Sequence, residues 1–109
     1  MNTEINVNIH TASMVVSADP VTSRNADGVF QSIFYGDSHY WTKGNEETNY
    51  FRVVAFGAAS EIIQRLVRDG SQVLVSGPSR IRDEPDRPCT EFVAPPTIKV
   101  LPEGGANES

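Results

Sequence analysis

The sequence predicts an all-β domain, a five-stranded and partly open Greek-key barrel with one α-helix between strands 3 and 4. Three observations support this prediction. Five segments alternate apolar and polar residues or form short apolar runs, which is typical of strands. One segment has helical spacing of its apolar residues, and it follows the third strand. Turn-forming pairs such as Asp-Pro and Asp-Gly separate the segments.

The first two predicted strands flank a turn-rich segment. We predict the first strand over residues 3–17, with a bulge near residues 14–16, where the alternation changes phase. Asp19-Pro20 ends this strand, because proline cannot donate a ladder hydrogen bond. Residues 20–28 are predicted as turns, and the second strand covers residues 29–36.

The remaining elements follow in order along the chain. Residues 37–48 are predicted as a polar loop that holds Tyr40 and Trp41 and has its tip at Lys43-Gly44-Asn45. The later elements are a strand over 49–57, a helix over 58–69 capped by Gly70, a strand over 72–82, a turn over 83–88, and a strand over 89–101 interrupted by Pro95-Pro96. Five strands with a single helix after the third form the element order of the OB-fold.

Length, charge and cysteine content restrict the class of protein. The 109 residues fit one domain, which we predict to cover residues 1–102, followed by a short flexible tail over 103–109. The formal charge of −5 argues against a nucleic-acid partner unless the nine basic residues gather on one surface. No apolar run reaches the roughly 20 residues that a membrane span needs. The polar N-terminus and the single cysteine, Cys89, predict a cytoplasmic protein.

The sequence holds no pattern that predicts catalysis. It lacks a phosphate-binding glycine loop, a nucleophile elbow and the His–carboxylate spacing of a metal site. Cys89 is interpreted as an inert thiol, because no base lies near it in sequence. The acidic residues Asp83, Glu84 and Asp86 are interpreted as a solvated turn. We therefore expect no enzymatic activity, no cofactor and no metal.

Aromatic and basic side chains are interleaved on the predicted strands and in the loop between them. They are Phe34, Trp41, Tyr50, Arg52, Phe56, Arg80 and Arg82. Non-specific binding of single-stranded nucleic acid needs this combination, because any base can stack on an aromatic ring and arginines hold the phosphates. The alternative is that Phe34 and Phe56 belong to the core and that Trp41 covers a pocket.

Two stretches resemble bacterial single-stranded-DNA-binding proteins. Residues 48–57, TNYFRVVAFG, are similar to the T-E-W-x-R-V-V-x-F-G segment of that family, and residues 70–77, GSQVLVSG, to its G-S-Q-V-x-V-x-G strand. Residues 19–20, 38–41 and 80–82 match its D-P, S-E-S-W and R-x-R elements. The resemblance extends over about residues 5–101.

The resemblance implies a DNA-binding OB-fold, often assembled as a homotetramer, in which Trp41, Tyr50 and Phe56 stack on bases and Arg52 contributes to binding. The sequence departs from the family at Glu84, where an aromatic is common. It also lacks the family's acidic C-terminal tip, so recruitment of replication proteins through such a tail is not expected. This departure implies either a truncated chain or a compact member from a phage or mobile element.

Together, these observations predict a homo-oligomeric protein that binds single-stranded DNA with little sequence preference and protects it during replication, recombination or repair. The predicted DNA-binding residues are Trp41, Tyr50, Phe56, Phe34, Arg52, Arg80, Arg82, Lys43 and Tyr40. The alternative is an OB-fold interaction module, like those of a primosome, with weak or no DNA binding. The acidic balance and Glu84 favour that alternative.

Overall fold

The computed structural model describes residues 9–83, 88–93 and 96–102. Their elements are, in order, β1 (Ile9–Val16), β2 (Val21–Arg24), β3 (Phe30–Thr42), β4 (Asn45–Phe56), α1 (Ala58–Leu66), β5 (Gln72–Asp83), β6 (Pro88–Phe92) and β7 (Thr97–Val100). The start of the predicted first strand and the predicted tail over 103–109 lie outside the described residues.

Five of the strands close into a barrel. The circuit β1-β3-β4-β6-β5 returns to β1, because β1 pairs with both β3 and β5. The pairing of β4 with β6 is parallel, and the other pairings among the described residues are antiparallel. β2 extends the sheet along β3, and β7 extends it along β5. The predicted OB-fold is confirmed, and the predicted last strand is divided into β6 and β7.

Apolar side chains from alternate strand positions and from the helix fill the barrel. They are Ala12, Met14, Val16, Phe34, Phe51, Val53, Ala55, Ile63, Val67, Val73, Val75 and Phe92. Full burial of a large apolar side chain contributes about 1.5–3 kcal/mol, so this set is the main source of stability. Helix α1 packs on the barrel through Ile63, and its buried Ser60 hydroxyl lies 2.6 Å from that of Ser32.

Gly36 allows β1 to cross close to β3. The two strands pair only at Val15–Asp37 and Val16–Gly36. A β-carbon at residue 36 would lie 2.8 Å from the Met14 Sδ and 3.0 Å from the Val15 carbonyl oxygen, so a larger residue would require the Met14 side chain to move and the Val15 backbone to shift slightly.

The prediction of a polar loop over residues 37–48 is wrong. β3 and β4 remain paired as far as Thr42–Asn45 and form a long hairpin that ends in a two-residue turn at Lys43-Gly44. Both turn residues have positive φ, 52° and 82°, as a type I′ turn requires, so the tip was predicted correctly. Residues 39–47 are exposed on both faces of this hairpin, and the apolar alternation that marks a half-buried strand is therefore absent.

Two smaller differences concern element boundaries. The segment 20–28 was predicted as turns alone, but it contains the short strand β2, which pairs with residues 30–33 of β3. Helix α1 ends at Leu66, before the predicted limit at residue 69, because Val67 is already extended. Val67 is nevertheless fully buried, so the apolar spacing that suggested a longer helix reflects core packing beyond the helix end.

Candidate nucleic-acid interface

A row of four side chains crosses the outer surface of the barrel. Tyr35 on β3 lies opposite Arg52 on β4, Arg52 lies opposite Glu91 on β6, and Glu91 lies opposite Arg80 on β5. Residues two positions along a strand share its face, so Arg82 continues this surface on β5. We call the outer surface of β3, β4, β6 and β5 that carries this row the binding face.

Glu91 lies at the centre of the binding face and is only 1% exposed. Its Oε1 accepts a hydrogen bond of 2.8 Å from Arg80 Nε. Its Oε2 accepts a short hydrogen bond from Arg52 Nη1 and a longer one of 3.4 Å from Arg82 Nη1. A single buried carboxylate thus holds arginines from the two strands that flank β6.

The arginines keep Glu91 ionised despite its burial. Desolvation alone would raise the pKa of its carboxyl group, because burial disfavours the charged form. Hydrogen bonds from Arg80 and Arg52, together with their positive charges, outweigh that effect and hold the pKa below its usual value. The cluster therefore contains three positive charges and one negative charge near neutral pH.

Tyr35 joins this cluster through Arg52. Its hydroxyl accepts a hydrogen bond of 3.1 Å from Arg52 Nε, and the guanidinium carbon lies 6.0 Å from its ring centroid. The side chain is 45% exposed, so one part of the ring is accessible to a ligand. Tyr35 was not predicted as a DNA-binding residue from the sequence, although a two-residue turn at Lys43-Gly44 places it opposite Arg52.

Phe34 was predicted as a stacking residue, and this prediction is wrong. Its side chain is 1% exposed and belongs to the core, where no base can reach it. Adjacent residues of a strand point to opposite faces, so the burial of Phe34 places Tyr35 on the outer face. The alternative that the sequence left open, a core role for Phe34, is the one observed.

The other predicted aromatics differ in placement. Phe56 is exposed on β4 opposite Gln31, and Tyr50 is half-buried opposite Asp37. Both share the outward parity of Arg52 on β4. Phe56 is therefore not a core residue, and it lies toward the end of β4 that precedes α1.

Trp41 lies near the tip of the β3–β4 hairpin and is 71% exposed, so it does not cover a pocket. Its strand position has the same parity as Tyr35, which places it on the side of the hairpin that continues the binding face. Tyr40 has the opposite parity, so it lies on the other side of the hairpin. Lys43 is exposed in the turn itself.

Charge is distributed unevenly over this surface. Three of the nine basic residues gather around Glu91. The hairpin carries the opposite charge: Glu46 lies opposite Trp41, and Glu47 lies opposite Tyr40. Asp37 lies on the binding face and contacts His39, with 3.3 Å between its Oδ1 and the His39 Nε2. Glu84, which replaces the family's further aromatic, lies outside the described residues.

Among residues 9–83, 88–93 and 96–102, no three His, Cys, Asp or Glu side chains are grouped as a metal site. The Cys89 thiol is buried on β6 and is not part of a disulfide within the described residues. A bilayer-spanning helix needs about 20 residues, and no helix of the described part of the chain is long and apolar enough to span one.

Comparison with known proteins agrees with this geometry. The profile of the single-strand binding protein family matches residues 23–88, which is more than half of the chain. The fold is similar to that of a Plasmodium falciparum SSB in complex with ssDNA, with a TM-score of 0.75, 18% identity, and coverage of 93% of this chain and 100% of that one. It is also similar to a small single-stranded DNA-binding protein from Streptomyces coelicolor, with a TM-score of 0.71, 21% identity, and coverage of 90% and 96%. No curated protein sequence matches the chain. The chain belongs to the single-strand binding protein family.

Proposed function

We propose that this protein binds single-stranded DNA with little sequence preference along the binding face and the adjoining side of the hairpin. The observation that carries the proposal is the arrangement of exposed aromatic rings beside a cluster of arginines on one surface. Trp41, Tyr35 and Phe56 are exposed on outward strand positions. Arg80 on β5 and the arginines next to it surround Glu91 on β6. Both family membership and the ssDNA bound to the similar Plasmodium protein support this assignment.

The chemistry of the face explains the expected lack of sequence preference. Every base has a π face, and stacking on an aromatic side chain contributes about 1–3 kcal/mol per base. Within the described residues, Arg80 donates a hydrogen bond only through its Nε. Its Nη groups are therefore available to a phosphate. Neither contact reads the hydrogen-bonding edge of a base, which is the part that distinguishes one sequence from another.

The biological role follows from this mode of binding. Proteins of this family bind DNA and are not enzymes. Coating of exposed strands during replication, recombination or repair needs affinity without sequence preference, which is what the face offers. A homo-oligomeric assembly in the cytoplasm, where Cys89 would stay reduced, belongs to the same proposal.

Titration with oligo(dT), followed by tryptophan fluorescence at several salt concentrations, tests the proposal. Trp41 is the only tryptophan, so quenching reports a base at that position. Each phosphate contact to a single strand contributes about 0.7 to the magnitude of the slope of log K against log salt, so three arginines and Lys43 predict about 2–3 per protomer. Saturable quenching that weakens with salt is the expected result.

Matched variants locate the site. Phe56→Ala should weaken binding by about 5- to 150-fold, the equivalent of one stacked base. Phe30→Ala removes a similarly exposed aromatic from the opposite face of the sheet and should leave the affinity unchanged. Absence of any binding by fluorescence and by mobility shift would overturn the proposal. The acidic hairpin around Trp41 would then favour the interaction module.

A further inference from the structure

We infer that Glu91 is a positioning residue for DNA binding: its buried carboxylate sets the arrangement of Arg52, Arg80 and Arg82 for phosphate contacts. This inference rests on the proposed function. It adds to the DNA-binding site a negatively charged residue, which a search for positive charges would overlook. Because Glu91 is 1% exposed, it acts through the arginines and not by touching DNA.

The register of the sheet explains how one residue can hold arginines from two strands. β6 lies between β4 and β5, and Glu91 is directly opposite Arg52 on one side and Arg80 on the other. Arg82, two residues beyond Arg80, reaches the same Oε2 that accepts from Arg52. Three guanidinium groups that would otherwise repel one another are therefore gathered around one anion.

The hydrogen bonds fix the arginines without using up their donors. A guanidinium has five N–H groups in a planar fork. Arg80 uses only Nε toward Glu91, and 68% of its side chain remains exposed. An arginine held through Nε has lost much of its side-chain freedom before DNA arrives, and it still presents two Nη groups with the geometry that matches phosphate oxygens.

A role of Glu91 in charge alone and a role in positioning predict opposite changes in DNA affinity when its carboxylate is removed. If Glu91 only offsets positive charge, Glu91→Gln adds one net positive charge to the face and should strengthen binding. If Glu91 positions the arginines, the same change weakens binding, because a neutral amide holds three cations poorly and brings an N–H₂ donor to where they need an acceptor. The sign of the change in affinity therefore separates the two.

The test compares Glu91→Gln with Asp37→Asn in the full chain, each titrated with oligo(dT) over a range of salt. Asp37 is a carboxylate on the same face that contacts His39 and, among the described residues, no arginine, so its amide variant changes charge without disturbing the cluster. We expect Glu91→Gln to bind about 10- to 100-fold more weakly, the loss of one or two charge-assisted contacts at about tenfold each. The salt slope should fall by about 0.7 per lost phosphate contact. Asp37→Asn should bind slightly more tightly than the unmodified protein, because it removes a negative charge from the same face.

The outcomes are distinguishable. If the unmodified protein binds oligo(dT) and folded Glu91→Gln binds equally or more tightly, the role of Glu91 is overturned and the proposed function stands. If the unmodified protein does not bind, the proposed function itself fails. Circular dichroism establishes whether each variant is folded before its affinity is compared.

A measurement on the unmodified protein keeps the inference testable if Glu91→Gln does not fold. Nitrogen-15 relaxation of arginine Nε–H groups should show Arg80 nearly as ordered as the backbone despite its exposure. Arg65 is an internal reference, because it is exposed on α1 and its side chain makes no hydrogen bond within the described part of the chain. Equal mobility of Arg80 and Arg65 in the free protein would overturn the inference.

Discussion

Tyr35→Ala should weaken binding of oligo(dT) without unfolding the protein. The ring is 45% exposed on the binding face and lies beside the Arg52 guanidinium. Loss of one stacking platform costs about 1–3 kcal/mol, which corresponds to roughly a 5- to 150-fold higher Kd. The loss of stability should be small compared with that of a core substitution, since nearly half of the side chain is already in solvent.

Tyr35→Phe is the matched control, because it removes the hydroxyl and keeps the ring. The hydroxyl accepts the 3.1 Å hydrogen bond from Arg52 Nε, and Arg52 retains its second contact to Glu91. A hydrogen bond of this kind contributes about 0.5–1.5 kcal/mol net, and water can replace the acceptor at a partly exposed site. We therefore expect the Kd of Tyr35→Phe to rise by less than about threefold.

Trp41 fluorescence measures the affinity of both variants, and thermal unfolding measures their stability. Unchanged affinity of folded Tyr35→Ala would refute the assignment of Tyr35 to the interface. If Tyr35→Phe instead lost as much affinity as Tyr35→Ala, the hydroxyl contact to Arg52 would be the important feature, and the stacking argument would be wrong.

Two further predictions concern stability. Phe34→Ala should lower the free energy of unfolding by about 3–5 kcal/mol, as expected for a buried phenylalanine, while the protein that remains folded binds oligo(dT) normally. Urea unfolding measures the stability, and a titration at low temperature measures the affinity. Reduced affinity of the folded fraction would contradict the assignment of Phe34 to the core. The pKa of Glu91 in the folded protein is held below its ordinary value by Arg80 and Arg52, so the stabilisation it contributes is present above that ordinary value and is lost as the pH falls through the folded pKa. Urea unfolding between neutral and acidic pH should show a smaller acid-induced loss for Glu91→Gln than for the unmodified protein, and identical pH profiles would argue against the ion-pair cluster.

The barrel could be predicted from the sequence because most of its strands have one buried face and one exposed face. Buried and more exposed positions alternate along β5, and along β4 except at the buried Val54. The helix after β4 could be predicted separately, from apolar residues at helical spacing that pack on the barrel. The hairpin extension could not be predicted in the same way, because residues 39–47 have no buried side to impose a pattern. The only local signal there was the Lys43-Gly44 tip, which was interpreted as part of a loop.

Because the hairpin extension was not predicted, Phe34 was assigned to the outer face of β3 in the place of Tyr35. Two adjacent aromatics must lie on opposite faces of a strand, but alternation alone does not say which of them is inside. Counting back from the Thr42–Asn45 pair places Tyr35 opposite Arg52 and Phe34 opposite the buried Val53. A two-residue turn therefore contains the information that the strand itself lacks, since turn length fixes the register of a hairpin.

Glu91 could not be recognised from the sequence, because its partners come from pairings between distant strands. Arg52 is 39 residues away along the chain, and the parallel pairing of β4 with β6 brings the two together. This arrangement answers in part the objection raised by the net charge of −5, because three of the nine basic residues gather around Glu91. A bound DNA strand experiences the local electrostatic field, and at this position three arginines surround one carboxylate. Under the proposed function, salt-dependent phosphate contacts of so few cations supply only part of the affinity, and we expect stacking on Trp41, Tyr35 and Phe56 to supply the rest. If Glu91 positions those few arginines as proposed, their fixed geometry matters more than their number. A buried anion at the centre of the binding face is then compatible with binding of DNA.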